Sequence, residues 1–179
     1  MLDRVDMKKL IDGEIELTAH REATHAIYKT LHEQFFLKNC SLKRANNVIG
    51  NLLGASASSW RVVGITPAAL ELFKAVDFKA RPRGIQRAHK YNRIDTVKEI
   101  LETDQPLSEA ELFNRWISKD VTVLCLNKEN RNILNNSYIE IENPEGELFS
   151  NAYIGYTFRR THEGQFLSDL WQKKSMPSV

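Results

Sequence analysis

Val121 to Asn132 reads V-T-V-L-C-L-N-K-E-N-R-N, and the fold turns on its first six residues. An unbroken apolar run that short, rich in β-branched side chains, predicts a buried strand rather than a helix. It stops at once in N-K-E-N-R-N, where Asn127 is suited to cap a helix or begin an ordinary turn.

Upstream of this strand the chain alternates in character. Ile27, Leu31 and Phe35 recur at four-residue spacing with Ala23 and Ala26 behind them, which predicts an amphipathic helix from about Ile15 to Phe36. Ser41 is placed to cap a second helix through Leu53, which G-A-S-A-S-S at Gly54 to Ser59 ends. W-R-V-V-G-I at Trp60 to Ile65 predicts a short strand, and Thr66-Pro67 pairs an N-cap with a proline at the first helical position, starting a helix to about Ala75. Asp95 is placed to cap a helix through Leu101, and S-E-A-E at Ser108 to Glu111 is a capping box opening another through Ile117.

Downstream, Y-I-E-I-E and E-L-F flank N-P-E-G at Asn143 to Gly146, a type I turn sequence that predicts a hairpin. Ala152 to Phe158 reads as a further strand. A last helix carries Phe166, Leu167, Leu170 and Trp171 on one side and ends at Lys173-Lys174. The fold expected is α+β: a helical N-terminal part packed on a small mixed or antiparallel sheet, with a ββα-like motif and a C-terminal helix. A single domain over 1–179 is expected, with 1–78 a mainly helical support and 79–179 the α+β region that carries the site.

The chain of 179 residues is 42% hydrophobic and 27% charged, enough to bury a core without disulfides. Cys40 and Cys125 belong to no C-x-x-C pattern, which excludes a cysteine zinc knuckle and points to reduced thiols in a cytoplasmic protein. The charged N-terminus lacks the apolar core of a signal peptide. The longest uncharged segment, Ala45 to Trp60, contains an arginine-free but Asn-, Gly- and Ser-broken sequence short of the roughly 20 apolar residues of a membrane span. His20, His25 and His32 lack the i, i+4 spacing of a helical metal pair.

A net charge of +2 makes any attraction to an anionic partner a local matter. The local excess is R-P-R-G-I-Q-R-A-H-K-Y-N-R at Arg81 to Arg93, which contains no acid. A solvated basic loop is its bland reading, with Arg93 paired to Asp95 or Glu99. The sharper reading joins it to the strand at Val121. A histidine delivered by one strand serves as a base near neutrality, an asparagine carbonyl after the next strand is a hard ligand for Mg²⁺, and neighbouring arginines grip phosphate.

Q-R-A-H at Gln86 to His89, followed after a helical insertion by the buried strand and N-K-E-N-R-N, resembles the ββα-metal (HNH-type) nucleases, in particular the branch whose signature is D-R-G-H. Gln86 and Ala88 stand where that branch has an acid and a glycine. The resemblance spans Ile85 to Asn136. It implies a metal-dependent nucleic-acid endonuclease using Mg²⁺ or Mn²⁺, with His89 as general base, Arg87 on the phosphate, and Asn130 as metal ligand with Asn127 next. Arg81, Arg83, Lys90 and Arg93 are then expected to contact nucleic acid, DNA ahead of RNA, with no membrane involved.

The competing expectation is a non-catalytic module. Its basic stretch would track phosphates, with Tyr91 and Trp60 or Trp116 as stacking residues, or would meet an acidic protein partner as an inhibitor does. Geometry separates the two, because the nuclease needs His89 and Asn130 near enough to share one metal-bound phosphate.

Overall fold

The computed structural model describes residues 15–54, 59–130, 133, 137–144, 146–150 and 155–175. Along the chain these form α1 (Ile15–Phe36), α2 (Leu42–Gly54), β1 (Arg61–Ile65), α3 (Pro67–Ala75), β2 (Ile85–His89), α4 (Arg93–Leu101), α5 (Glu109–Lys119), β3 (Val121–Leu126), β4 (Ile139–Glu140) and α6 (Gln165–Ser175). Helices together with a four-stranded mixed sheet make the fold α+β. The described residues fall into two compact units, one drawn from 1–57 and 92–119, the other from 58–91 and 120–179. Each unit is therefore built from two stretches of chain. No helix among the described residues is long and apolar enough to cross a membrane.

The helical unit packs α1, α2, α4 and α5 around Tyr28, Ile49, Leu53, Ile100, Leu112 and Trp116. Its caps are local chemistry. Ser41 Oγ accepts from Arg44 N, and the Ser108–Glu111 box closes both ways, with Glu111 Oε2 accepting from Ser108 N at 2.9 Å. Helix α4 departs from expectation: Asn92 rather than Asp95 is its N-cap, Oδ1 accepting from Ile94 N, and Asp95 lies in the first turn.

On helix α1, Leu31 and Phe35 pack against this core as expected, but they are not its most buried positions. Ile27 is 46% exposed, while Thr24, Tyr28 and His32 are buried. The reason lies in the connection between α4 and α5. There the Tyr28 hydroxyl donates to Ile100 O and accepts from Leu107 N, while His25 and His32 hydrogen-bond Leu107 O and Thr103 O. Buried main-chain groups need partners, and the face carrying those partners outweighs an isoleucine.

In the sheet unit the strand order is β2-β3-β1-β4. Strand β3 runs parallel to β1 and antiparallel to β2, and β4 pairs antiparallel with β1. Leu124 joins the large cluster of Val62, Ile65, Leu70, Phe73 and Leu167, whereas Val123 and Cys125 meet Ala88 and Ile133 on the other side. Covered on both faces, β3 has no position for an alternating polar residue, which explains its unbroken apolar run. Thr66 caps α3 as its sequence predicts, with Oγ1 accepting from Ala69 N.

Two strand expectations change. The turn at Asn143 forms, with Gly146 N donating to Asn143 O at 3.2 Å and Gly146 at φ +70°, but Glu147–Phe149 is not a strand. Asn143 instead pins this segment through its side chain, donating to Val62 O and Leu148 O and accepting from Leu148 N. Gly155 to Phe158 is not extended ladder either, and Ala152 to Ile154 lies outside the described residues. A π-turn at Arg160–Gly164 leads into α6, and Gly164 lies so near Phe78 that a Cβ there would stand 2.5 Å from the Phe78 carbonyl oxygen.

Candidate nucleic-acid interface at the end of strand β2

The antiparallel register decides what the site contains. His89 pairs with Thr122 near the start of β3, while Ile85 pairs with Leu126 at its end, and Asn127 N donates to Gly84 O just beyond. Four residue steps separate Ile85 from His89, about 14 Å along the ladder at ~3.4 Å per step. Asn127 and Asn130 therefore follow the end of β3 that lies away from His89. Both are exposed; residues 127–129 form a turn and Asn130 is in 3-10 conformation, so no α-helix starts here.

Near Asn130 the carboxylate on hand is Glu129. Its Oε2 accepts from Leu126 N and from Thr66 Oγ1, each at 2.8 Å, so it closes the end of β3 and ties it to the start of α3. Among the described residues no group of three or more His, Cys, Asp or Glu gathers in a form able to hold a metal ion.

Around His89 the structure assembles residues that the sequence left scattered. His89 Nε2 is 3.1 Å from Oδ1 of Asp120, whose side chain is only 1% exposed. A carboxylate accepts only, so Nε2 carries the proton and a neutral ring presents its lone pair at Nδ1. The Trp60 ring lies 4.0 Å from the His89 ring, centroid to centroid. Trp60 itself is held at φ +61°, a costly backbone for a bulky residue. Three bonds fix it there: its N–H donates to Asp120 O, and its carbonyl accepts from Arg87 Nη1 and Thr122 Oγ1.

Arg87, expected on the phosphate, points into this cluster instead. It is 7% exposed, its guanidinium lies 5.2 Å from the Trp60 ring centroid, and burial pushes it down to about 10, with Asp120 opposing that shift. It stays charged at neutral pH as the partner of a buried acid.

The remaining arginines disperse. Arg81 stacks over Tyr156 at 4.0 Å and donates to its carbonyl. Arg83 is exposed but precedes Gly84, at the opposite end of β2 from His89. Arg93 belongs to the helical unit, where it lies 5.3 Å from the Trp116 ring centroid and against the bare backbone of Gly54. Trp116 is 1% exposed in that core and offers no stacking surface. The basic run is thus a succession of separate jobs and not one charged face.

Lys90 does stay at the end of β2. Its Nζ lies 5.5 Å from the ring centroid of Tyr91 and 5.3 Å from that of Tyr138. Hydrogen bonding to the Tyr138 side chain, against some desolvation, raises Lys90 above its ordinary range. Tyr91 is 37% exposed. Asp120 and Tyr138 carried no motif, though an acid abutting an apolar strand was a signal: it must find a partner when the strand is buried. No protein-family model, curated protein or solved structure matches this chain.

Proposed function

We propose that this protein binds nucleic acid at the end of β2, through Lys90 and the aromatic side chains around it. The observation that carries the reading is the placement of the Lys90 ammonium between Tyr91 and Tyr138. A cation set among rings suits a phosphate and the base next to it. Fluorescence anisotropy with labelled oligonucleotides tests it: Lys90→Ala weakens binding, whereas Asn127→Ala and Asn130→Ala leave it unchanged. Absence of binding to any oligonucleotide at low salt overturns the proposal.

One observation favours a second reading, the metal-dependent nuclease. The His89–Asp120 pair is an imidazole oriented by a carboxylate, the form a general base takes. The register weighs against the rest of that centre, since Asn130 follows the far end of β3. Cleavage of DNA or RNA with Mg²⁺ or Mn²⁺, stopped by EDTA and lost in both His89→Ala and Asn130→Ala, would establish the nuclease. Binding without cleavage under those conditions leaves the binding module.

A further inference from the structure

Most proteins that read duplex nucleic acid position themselves with many phosphate contacts. Among the described residues the basic run does not supply that inventory at the end of β2, and Arg61, which pairs with Val121 at the same end of the sheet, already donates to Pro144 O. Of the cations in the run from Arg81 to Arg93, Arg81 is stacked on Tyr156, Arg87 is buried against Trp60, Arg83 stands at the other end of the strand, and Arg93 sits in the other unit. Lys90 alone remains beside the rings.

What this end has instead is aromatic surface. Beside Lys90, Tyr91 is the more exposed ring and Tyr138 lies across the sheet on Gly64, whereas Trp60 packs with His89 on the opposite face. Base faces are hidden inside a duplex and open in a single strand, so rings of this kind find their complement only in unpaired nucleotides. Nor do strand ends and turns offer the helix or two-stranded ribbon that enters a major groove.

From this balance of one cation and the two rings of Tyr91 and Tyr138 we infer that the ligand is single-stranded nucleic acid, held mainly by stacking of one or two bases and anchored by one phosphate on Lys90. The inference rests on the reading of this surface as a nucleic-acid interface. It replaces the steep salt dependence expected of a continuous basic stretch with a shallow one. A single-strand contact contributes a slope of about −0.7 in log K against log salt, so one or two contacts weaken binding by less than roughly tenfold between 50 and 200 mM.

The experiment is anisotropy with a labelled mixed-sequence single strand, in DNA and RNA forms, and the matching duplexes, across that salt range. The expected result is tighter binding of single strands and a slope near −1. Lys90→Ala should flatten the slope, whereas Tyr91→Ala should lower affinity by at least about fivefold, the lower end for one stacked base, with the slope unchanged. Tyr91→Phe keeps the ring and should bind like the parent, which separates stacking from any disturbance of the fold. Duplex bound as tightly as single strand, a steep slope, or equal binding by Tyr91→Ala and Tyr91→Phe would overturn the inference while leaving a nucleic-acid interface. Binding of neither form would instead remove the interface on which it rests.

Discussion

Tyr138 packs directly on Gly64: a Cβ at residue 64 would stand 2.9 Å from Cε2 of that ring and nearer still to Cδ2. Gly64 belongs to β1, and the ladder is irregular between Val62 and Gly64, where β1 slips against β3. The absent side chain lets Tyr138 cross the sheet and bring its ring to Lys90.

Gly64→Ala should therefore act twice. Overpacking a ring against a sheet costs about 1–3 kcal/mol, measurable by urea unfolding. Because the ring that moves is the one beside Lys90, oligonucleotide affinity should also fall, and Tyr138→Ala should reproduce that fall without the overpacking. An alanine at residue 64 that changes neither stability nor binding would show that Tyr138 does not lie as described.

Asp120 holds three neighbours: its carboxylate faces His89 and offsets the burial of Arg87, and its carbonyl accepts from Trp60 N. Asp120→Ala leaves a buried guanidinium without its acid, a loss of about 3–5 kcal/mol. Arg87→Met combined with Asp120→Ala should recover much of it, because removing both charges also removes the uncompensated one. A double variant no more stable than Asp120→Ala would mean that the two side chains do not share their burial.

What the sequence disclosed follows the range of the forces involved. The Thr66 cap, the Ser108–Glu111 box and the buried strand at Val121 were legible because each is decided within a few residues. The burial of Tyr28 on α1 was not, since it is drawn in by carbonyl and amide groups around Ile100 and Leu107, beside the Leu31 and Phe35 that the stripe did place on the core. Arg93 reads as one more charge in a basic run, yet Gly54 and Trp116 decide its place. The same holds for the site. His89 and the stretch Asn127–Asn130 read as parts of one motif, but only the β2–β3 register reveals that they lie toward opposite ends of the ladder.

Cys125 is fully buried in β3, and burial, with Glu129 adding, pushes its thiol up to about 11, whereas Cys40 is partly exposed. Thiolate is the reactive form, so Ellman's reagent should modify Cys40 in the native protein and reach Cys125 only on unfolding. Rapid native modification of Cys125 would indicate that β3 opens readily.

Glu163 makes the stability of the α6 entrance depend on pH. Its side chain is fully buried within the π-turn before α6, where burial alone would raise its pKa. Hydrogen bonds from the Arg159 side chain and main chain, and from Phe149 N, outweigh burial and hold it below the ordinary glutamate value. A carboxyl depressed on folding stabilises fully above its unfolded pKa of about 4.3, and that contribution disappears as pH falls through the lower folded value. Glu163→Gln should cost about 2 kcal/mol at pH 7, the scale of charge-assisted hydrogen bonds to a buried acceptor. Because the parent loses this stabilisation in acid and the variant has none to lose, the gap between them should narrow steadily below about pH 4. Urea unfolding of both proteins between pH 7 and pH 3 reads it directly, and a gap that stays constant across that range would show that Glu163 is not held as an ion by Arg159.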